Sequence, residues 1–362
     1  MENNFSILKD SFGCDFVVNL PANRKNTPLK ILQLTDPQII DASQRRTPDR
    51  LNPTEILAWS PENFDMQCGN HIRSLLCQTK PDFIFITGDI VYGEFDDNGT
   101  ALKWFTDFMD SFGIPWAPVF GNHDNESLMG VDYQCKLFED AKYCLFKRGS
   151  VTGNGNYTVG LAIENELIRV LHMTDSNGCT HSKEDTVTKL RGIYNDQFEK
   201  IRQNTLAIRD YAGKQVPAFM AFHIPHAIFV EAEKAKGYVT PDRYNYIIGV
   251  DVEAKDNDYG FKLDSADAFP TEVDFLKFAK ENAIDGVFIG HHHNTATTIY
   301  YEGIALVYGL KTGQYDSYIP GNIGGTLILQ NKTDFTVLNV SSLCKYGPVP
   351  KDQLRYKGFH QE

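Results

Sequence analysis

The chain has 362 residues, 42% of them hydrophobic and 23% charged, a profile that fits a globular protein with a sizeable core and excludes a disordered one. Its 47 acidic against 35 basic side chains give a formal charge of -12, which counts against a protein that coats nucleic acid. A small anionic substrate stays open, because bound divalent cations can reverse the local field of an acidic protein.

The N-terminal stretch MENNFSILKDSFGCDF has no basic region leading into a continuous apolar run. No segment approaches the roughly 20 apolar residues that cross a bilayer. Seven cysteines (Cys14, Cys68, Cys77, Cys135, Cys144, Cys179 and Cys344) are odd in number and never spaced C-x-x-C, so reduced thiols are expected. Together these features predict a cytoplasmic protein without membrane contact.

Taken in chain order, the first strand signal is LKILQLT, Leu29 to Thr35, which runs into Asp36-Pro37-Gln38. Residues 39–63 have little periodicity and read as an ordered surface loop near a site. Phe64 to Gln78 is helical, with Cys68, Ile72, Leu75 and Leu76 on one face. DFIFITG, Asp82 to Gly88, runs into Asp89, and a second helix spans Leu102 to Phe112. IPWAPVFG, Ile114 to Gly121, runs into Asn122, His123 and Asp124. PAFMAF, Pro217 to Phe222, runs into His223. A third helix covers Glu272 to Asn282, and DGVFIG, Asp285 to Gly290, ends in His291, His292 and His293.

Short runs rich in Ile, Val and Phe, bounded by Gly or Pro, are buried strands, and their alternation with helices means an α/β sandwich. Beyond Asn294 the segments TTIYYEGIALVYGLK and GGTLILQNKTDFTVLNV predict further strands, with turns at Glu302-Gly303 and Asn331-Lys332. They suggest a second, more antiparallel sheet. One domain over residues 1–362 is expected, with a core from about 29 to 345 and peripheral ends.

Every polar cluster follows an apolar run, and in open α/β sheets ligands gather outside the carboxyl ends of strands. Imidazole suits zinc, iron and nickel; carboxylate and amide oxygens suit manganese and magnesium. A mixed set this large exceeds the needs of one ion, so two metals sharing a carboxylate is the natural reading.

The blocks Asp36-Pro37-Gln38, Gly88-Asp89, Gly121-Asn122-His123-Asp124, His223 and Gly290-His291-His292-His293 stand in the order D-x-[H or Q], G-D, G-N-H-[D or E], H, G-H-x-H. In this the chain resembles the calcineurin-like metallophosphoesterase superfamily. FHIPH at 222–226 and YGLKTGQYDSY at 308–318 are similar to a purple-acid-phosphatase-like subgroup. The resemblance implies a four-layer α/β/β/α sandwich of two mixed sheets flanked by helices. It implies that Asp36, Gln38 and His293 hold one metal, that Asp89 bridges, and that Asn122, His223 and His291 hold the other. The pair would be divalent ions among Mn, Fe, Zn and Ni, with Mn or Fe favoured.

The implied reaction is hydrolysis of small phosphomonoesters or phosphodiesters by a metal-bridging hydroxide. His123, oriented by Asp124, would act as general acid or transition-state stabiliser. A non-catalytic metal-binding scaffold and a nuclease are the alternatives. In an extended segment alternate side chains share a face, so His291 and His293 are expected to face the site together and His292 to point elsewhere.

Two positions depart from the pattern. Gln38 stands where many relatives carry histidine, and its amide oxygen would hold a metal loosely. Tyr92 follows Asp89 at the G-D-x-x-Y spacing that supplies a tyrosinate in purple acid phosphatases; Gln38 is the preferred ligand and Tyr92 a loop aromatic. His226 reads as a surface residue, with substrate contact as the alternative, and His71, His172, His181 and His360 as structural or solvent-facing. The segments 39–63 and 231–265 are expected to be loops that wall the pocket.

Overall fold

The apolar runs become strands close to where the pattern puts them. The computed structural model describes residues 5–40, 64–93, 96, 98–178, 191–264, 268–314, 319 and 322–342. It opens with β1 (Ser6–Ser11), β2 (Cys14–Leu20) and β3 (Leu29–Leu34), then α1 (Phe64–Thr79), β4 (Phe83–Thr87), α2 (Thr100–Asp110), β5 (Trp116–Val119) and α3 (Gly130–Asp140). Next come β6 (Tyr157–Ile163), β7 (Glu166–Met173), α4 (Asn195–Ala212), β8 (Ala218–Ala221) and α5 (Ala227–Ala235). The remainder holds β9 (Tyr246–Ile247), β10 (Tyr259–Lys262), α6 (Phe275–Glu281), β11 (Ile284–Ile289), β12 (Thr295–Tyr301), β13 (Ile304–Tyr308), β14 (Gly324–Gln330) and β15 (Phe335–Ser341).

Among the described residues the strands form two mixed sheets. One runs β1-β2-β6-β7-β8-β11-β13-β12-β10-β9 and the other β15-β14-β3-β4-β5. β4 (FIFIT) and β8 (AFMA) are buried throughout, because strands flank them and other layers cover both faces; β5 (WAPV), the edge strand of its sheet, is buried too, its free edge bridged by Cys144. The sheets meet through aromatic rings packed edge to face. Phe85 on β4 lies 5.5 Å from Phe288 on β11, and Phe335 on β15 lies 4.8 Å from Phe219 on β8.

Helices close both outer faces. Cys68, Ile72 and Leu75 of α1 and Leu102 and Phe105 of α2 join the core of the five-stranded sheet. Phe198 of α4, Phe229 of α5 and Phe278 of α6 join the outer core of the ten-stranded one. This is the four-layer sandwich the resemblance implies. No described helix is long and apolar enough to cross a membrane.

Three expectations need correction. The N-terminal region is not peripheral: β2 pairs with β6 inside the ten-stranded sheet, and Phe16, Val17 and Val18 are buried. Residues 231–264 are not simply a loop, since they hold the end of α5 and the edge strands β9 and β10. The two C-terminal hairpins do not make a sheet of their own. β13 pairs parallel to β11 in the larger sheet, whereas β14 pairs antiparallel to β3 in the smaller. The chain must therefore cross from one sheet to the other between Tyr308 and Gly324, and it does so beside the polar strand ends. Of the expected site loop, residues 41–63 lie outside the described residues.

At the opposite end the seam is tied by charge. Arg169 on β7 is buried, pairs with Asp285, and donates from Nε to Gln330 Oε1 on β14 at 2.8 Å. Its guanidinium lies 4.1 Å from the Phe219 ring centre.

Candidate metal centre

Each sheet contributes one kind of donor. Asp36 and Gln38 follow β3, Asp89 follows β4, and Asn122 and His123 follow β5, so the five-stranded sheet brings the carboxylates and amides. His223 follows β8, and His291 and His293 follow β11, so the ten-stranded sheet brings the metal-competent imidazoles.

The loops that carry them are strained and pinned. Asp36, Gln38 and Asp89 have φ of 49°, 46° and 49°. This left-handed conformation costs an L residue about 1–3 kcal/mol. Backbone bonds hold it: Asp36 N–H donates to Gly88 O at 3.1 Å, Gln38 N–H to Asp89 O at 2.9 Å, and Ile39 N–H to Ile90 O at 2.9 Å. Two motif glycines make room. A Cβ on Gly121 would stand 2.1 Å from Asp89 Oδ1, and one on Gly290 would stand 2.1 Å from Thr35 Oγ1.

His291 does not obey the extended alternation. His292 N–H donates to Gly290 O at 2.9 Å, closing a γ-turn with His291 at φ 75°, the rare strained form. His291 and His293 still reach the cluster. His292 is turned away and stacks on Tyr308, rings 5.4 Å apart and 9° from parallel.

Ligand-competent atoms of Asp89, His223 and His291 lie within 4.8 Å of one another, and so do those of Asp36, Asp89 and His293. Asp89 belongs to both triads. His223 Nδ1 is 2.7 Å from Thr87 O; a carbonyl only accepts, so Nδ1–H donates and Nε2 faces the centre. Around that Nε2 stand Asn122 Oδ1 at 3.1 Å, Asp89 Oδ2 at 3.2 Å and His291 Nδ1 at 3.3 Å. His293 Nε2 is 3.4 Å from Asp36 Oδ1. Asp36 Oδ1 and Asp89 Oδ2 are buried and accept no hydrogen bond among the described residues. Buried anionic oxygens beside imidazole nitrogens are a donor set built for cations, and a mixed oxygen and nitrogen set fits divalent first-row ions.

Electrostatics agree. Burial would raise the Asp89 carboxyl, but the charges of His223 and His123 hold it far below the usual range. Asp36 is likewise held low against its burial, by the contact with His293 and the charge of His223. Burial would lower His223, yet Asp89's charge and contact raise it to about 9.

The expected orientation of His123 by Asp124 is corrected. Asp124 spends its carboxylate on backbone, accepting from Val91 N–H at 3.0 Å and Gly121 N–H at 2.7 Å, and burial with Asp89's charge pushes it up to about 7. The residue that meets His123 Nδ1 is Glu126, at 2.8 Å. His123 N–H donates to Asp89 Oδ1 at 2.8 Å, and Tyr92 lies against the His123 ring, centroids 4.2 Å apart. Gln38 is buried beside the first triad, its Oε1 accepting from Lys311 Nζ at 2.6 Å. Arg191, exposed at the rim, brings Nη2 to 3.4 Å from His291 Nε2.

The other histidines resolve structurally. His226, expected at the surface, is buried and caps α5 by accepting from Ile228 N–H at 3.0 Å; burial pushes it down to about 4. His71 sits 2.6 Å from Ser342 Oγ, and His172 is buried. His181 and His360 lie outside the described residues.

A family model for the calcineurin-like phosphoesterases matches residues 29–295. The chain belongs to that family. It is thus a member of a group of metal-dependent phosphoesterases that bind divalent ions and act on phosphorylated substrates. An uncharacterized protein of Schizosaccharomyces pombe is 26% identical over 217 residues, covering 58% of this chain and 39% of its own. The chain therefore spans less than half the length of that relative. The "Probable inactive purple acid phosphatase 14" of Arabidopsis thaliana is 23% identical over 317 residues, 82% of this chain and 72% of its own. Two solved structures are also similar. A dimetal phosphatase from Danio rerio has a TM-score of 0.46 at 10% identity, covering 88% of this chain and 97% of its own. A purple acid phosphatase from yellow lupin has a TM-score of 0.47 at 12% identity, covering 92% of this chain and 55% of its own.

The raised His223 has a measurable consequence for this chain. Without metal, a proton on His223 balances Asp89; a cation arriving at the second triad must displace it. Calorimetric Mn²⁺ titrations at neutral pH, in buffers of different ionisation enthalpy, should show about one proton released per chain. The release should fade as pH passes about 9. The same pairing stabilises the metal-free fold fully below pH 6.5 and loses that contribution as pH rises through about 9. Proton-free binding at neutral pH would remove this account of the His223–Asp89 pair.

Proposed function

We propose that this phosphoesterase is a cytoplasmic hydrolase of small phosphomonoesters or phosphodiesters that works with two divalent ions, Mn or Fe being favoured. The observation that supports it is the pair of ligand triads joined at Asp89. Bound there, two ions supply Lewis-acid polarisation of the phosphoryl oxygens and an acidified water as nucleophile.

The chain's own residues do the rest. His123 is held twice, by its backbone N–H on Asp89 and by Nδ1 on Glu126. Its Nε2 is then the atom that meets the leaving-group oxygen and gives it a proton. Tyr92, flat against the ring, fixes its plane. Arg191 offers a guanidinium at the rim, where a phosphoryl oxygen can be gripped as the ester arrives.

The test is a rate assay on Mn²⁺-reconstituted protein with p-nitrophenyl phosphate, bis-p-nitrophenyl phosphate and single-stranded DNA. Turnover of at least one small ester and none of DNA is expected, since a protein of charge -12 repels a polyanion. DNA cleavage would make it a nuclease. Two bound ions with no turnover of any ester would make it a metal-binding scaffold, the reading that fits the name of the Arabidopsis relative.

A further inference from the structure

The crossover between β13 and β14 carries a lysine into the first triad's supporting loop. Lys311 is buried, and its Nζ donates to Gln38 Oε1 at 2.6 Å and to Asp36 O at 3.1 Å. It is held in place by its neighbours. Thr312 N–H donates to Thr35 O at 2.8 Å, Gly313 N–H to Asp36 O at 3.2 Å, and Thr35 N–H to Thr312 Oγ1 at 3.1 Å. Contact is so close that a Cβ on Gly313 would fall 2.0 Å from Pro37 O.

Two effects follow, and both oppose a cation on the first triad. A glutamine has one metal-competent atom, its amide oxygen, and here an ammonium occupies one of its two lone pairs and draws its electron density away from a metal. The ammonium also adds a fixed like charge whose field reaches the Asp36 carboxylate, in surroundings where charges are poorly screened. At the second triad Asn122, His223 and His291 converge around Asp89, and the neighbouring cation, Arg191, is exposed at the rim beside His291 Nε2, where solvent screens its charge far better than that of buried Lys311.

We infer that the phosphoesterase binds its two ions unequally. The ion on Asp89, Asn122, His223 and His291 is tight, whereas the ion on Asp36, Asp89 and His293 is loose because Lys311 withholds Gln38 and repels it. The loose ion makes turnover follow the free concentration of divalent metal, so the enzyme is switched by metal supply. This rests on the two-ion reading above.

Calorimetry of Mn²⁺ binding to the metal-free full-length chain tests it. Wild type should show two classes of site differing by at least about tenfold, the scale on which one nearby charge acts. Lys311→Met removes the charge and frees Gln38, so the weak class should tighten about tenfold or more while the tight class stays. Lys311→Arg keeps the charge and should leave the weak class weak, and His293→Ala should abolish the weak class alone. Thermal melting checks that each variant folds; if Lys311→Met does not, Lys311→Gln makes the same comparison. Equal classes in wild type, or a weak class unmoved by both neutral variants, would overturn the inference and leave the two-ion reading standing. A wild type that binds no Mn²⁺ at all would sink both.

Discussion

If the proposed two-ion site is right, Asp89→Asn should strip the protein of both metal ions together. Asp89 is shared between the triads, and its charge would relieve repulsion between two ions bound there. Removing an outer partner of a metal ligand already costs about 10–100-fold in affinity, so losing the shared ligand should exceed about 100-fold. Metal content after desalting should fall to background, and ester hydrolysis with it. The change should also return His223 toward its ordinary range, because Asp89 is the main group raising it, and the proton release at neutral pH should disappear. His291→Ala is the contrast: it should remove the ion of the second triad and spare the first. Full metal occupancy and normal turnover in both variants would dismiss the metal assignment.

His123→Ala should separate chemistry from metal binding. The ring belongs to neither triad, so metal content should stay near wild type. The rate constant kcat should fall by about 10²–10⁴, the span for a lost general acid or base. The loss should shrink for esters with acidic leaving groups, which need little protonation. Glu126→Gln should give a smaller loss of the same kind, since Glu126 acts only through the His123 ring. Metal lost from His123→Ala would instead make His123 a ligand.

The strand ends were legible because three of the five apolar runs stop at a glycine (Gly88, Gly121, Gly290) and all five hand over to polar residues within one or two positions. Buried parallel strands leave no other reading for DFIFITG or DGVFIG. The region 157–173 was also readable in principle. β6 and β7 are joined by Glu164 and Asn165, both at positive φ, the two-residue turn that matches strand twist. Glu126 sits three residues from His123 on a single helical turn, a spacing at which side chains can meet, but the adjacent carboxylate of Asp124 draws the eye first. Lys311 was out of reach. It lies 275 residues from Asp36, and the two meet only because the chain changes sheets between β13 and β14. The γ-turn at His291 was equally hidden, since consecutive histidines carry no sign of a left-handed residue.

The division of donors between the two sheets gives the molecule a seam with two unlike fasteners. Arg169, reaching Gln330 at one end, is permanent at any metal concentration. At the other end the oxygens belong to one sheet and the imidazoles to the other, so each bound ion is a rivet driven through both. Chelation should leave the sandwich hinged at Arg169 and open to slip at the ligand end. Amide hydrogen exchange should then quicken in the loops after β3, β4, β8 and β11 while the strands around Arg169 and Gln330 keep their protection.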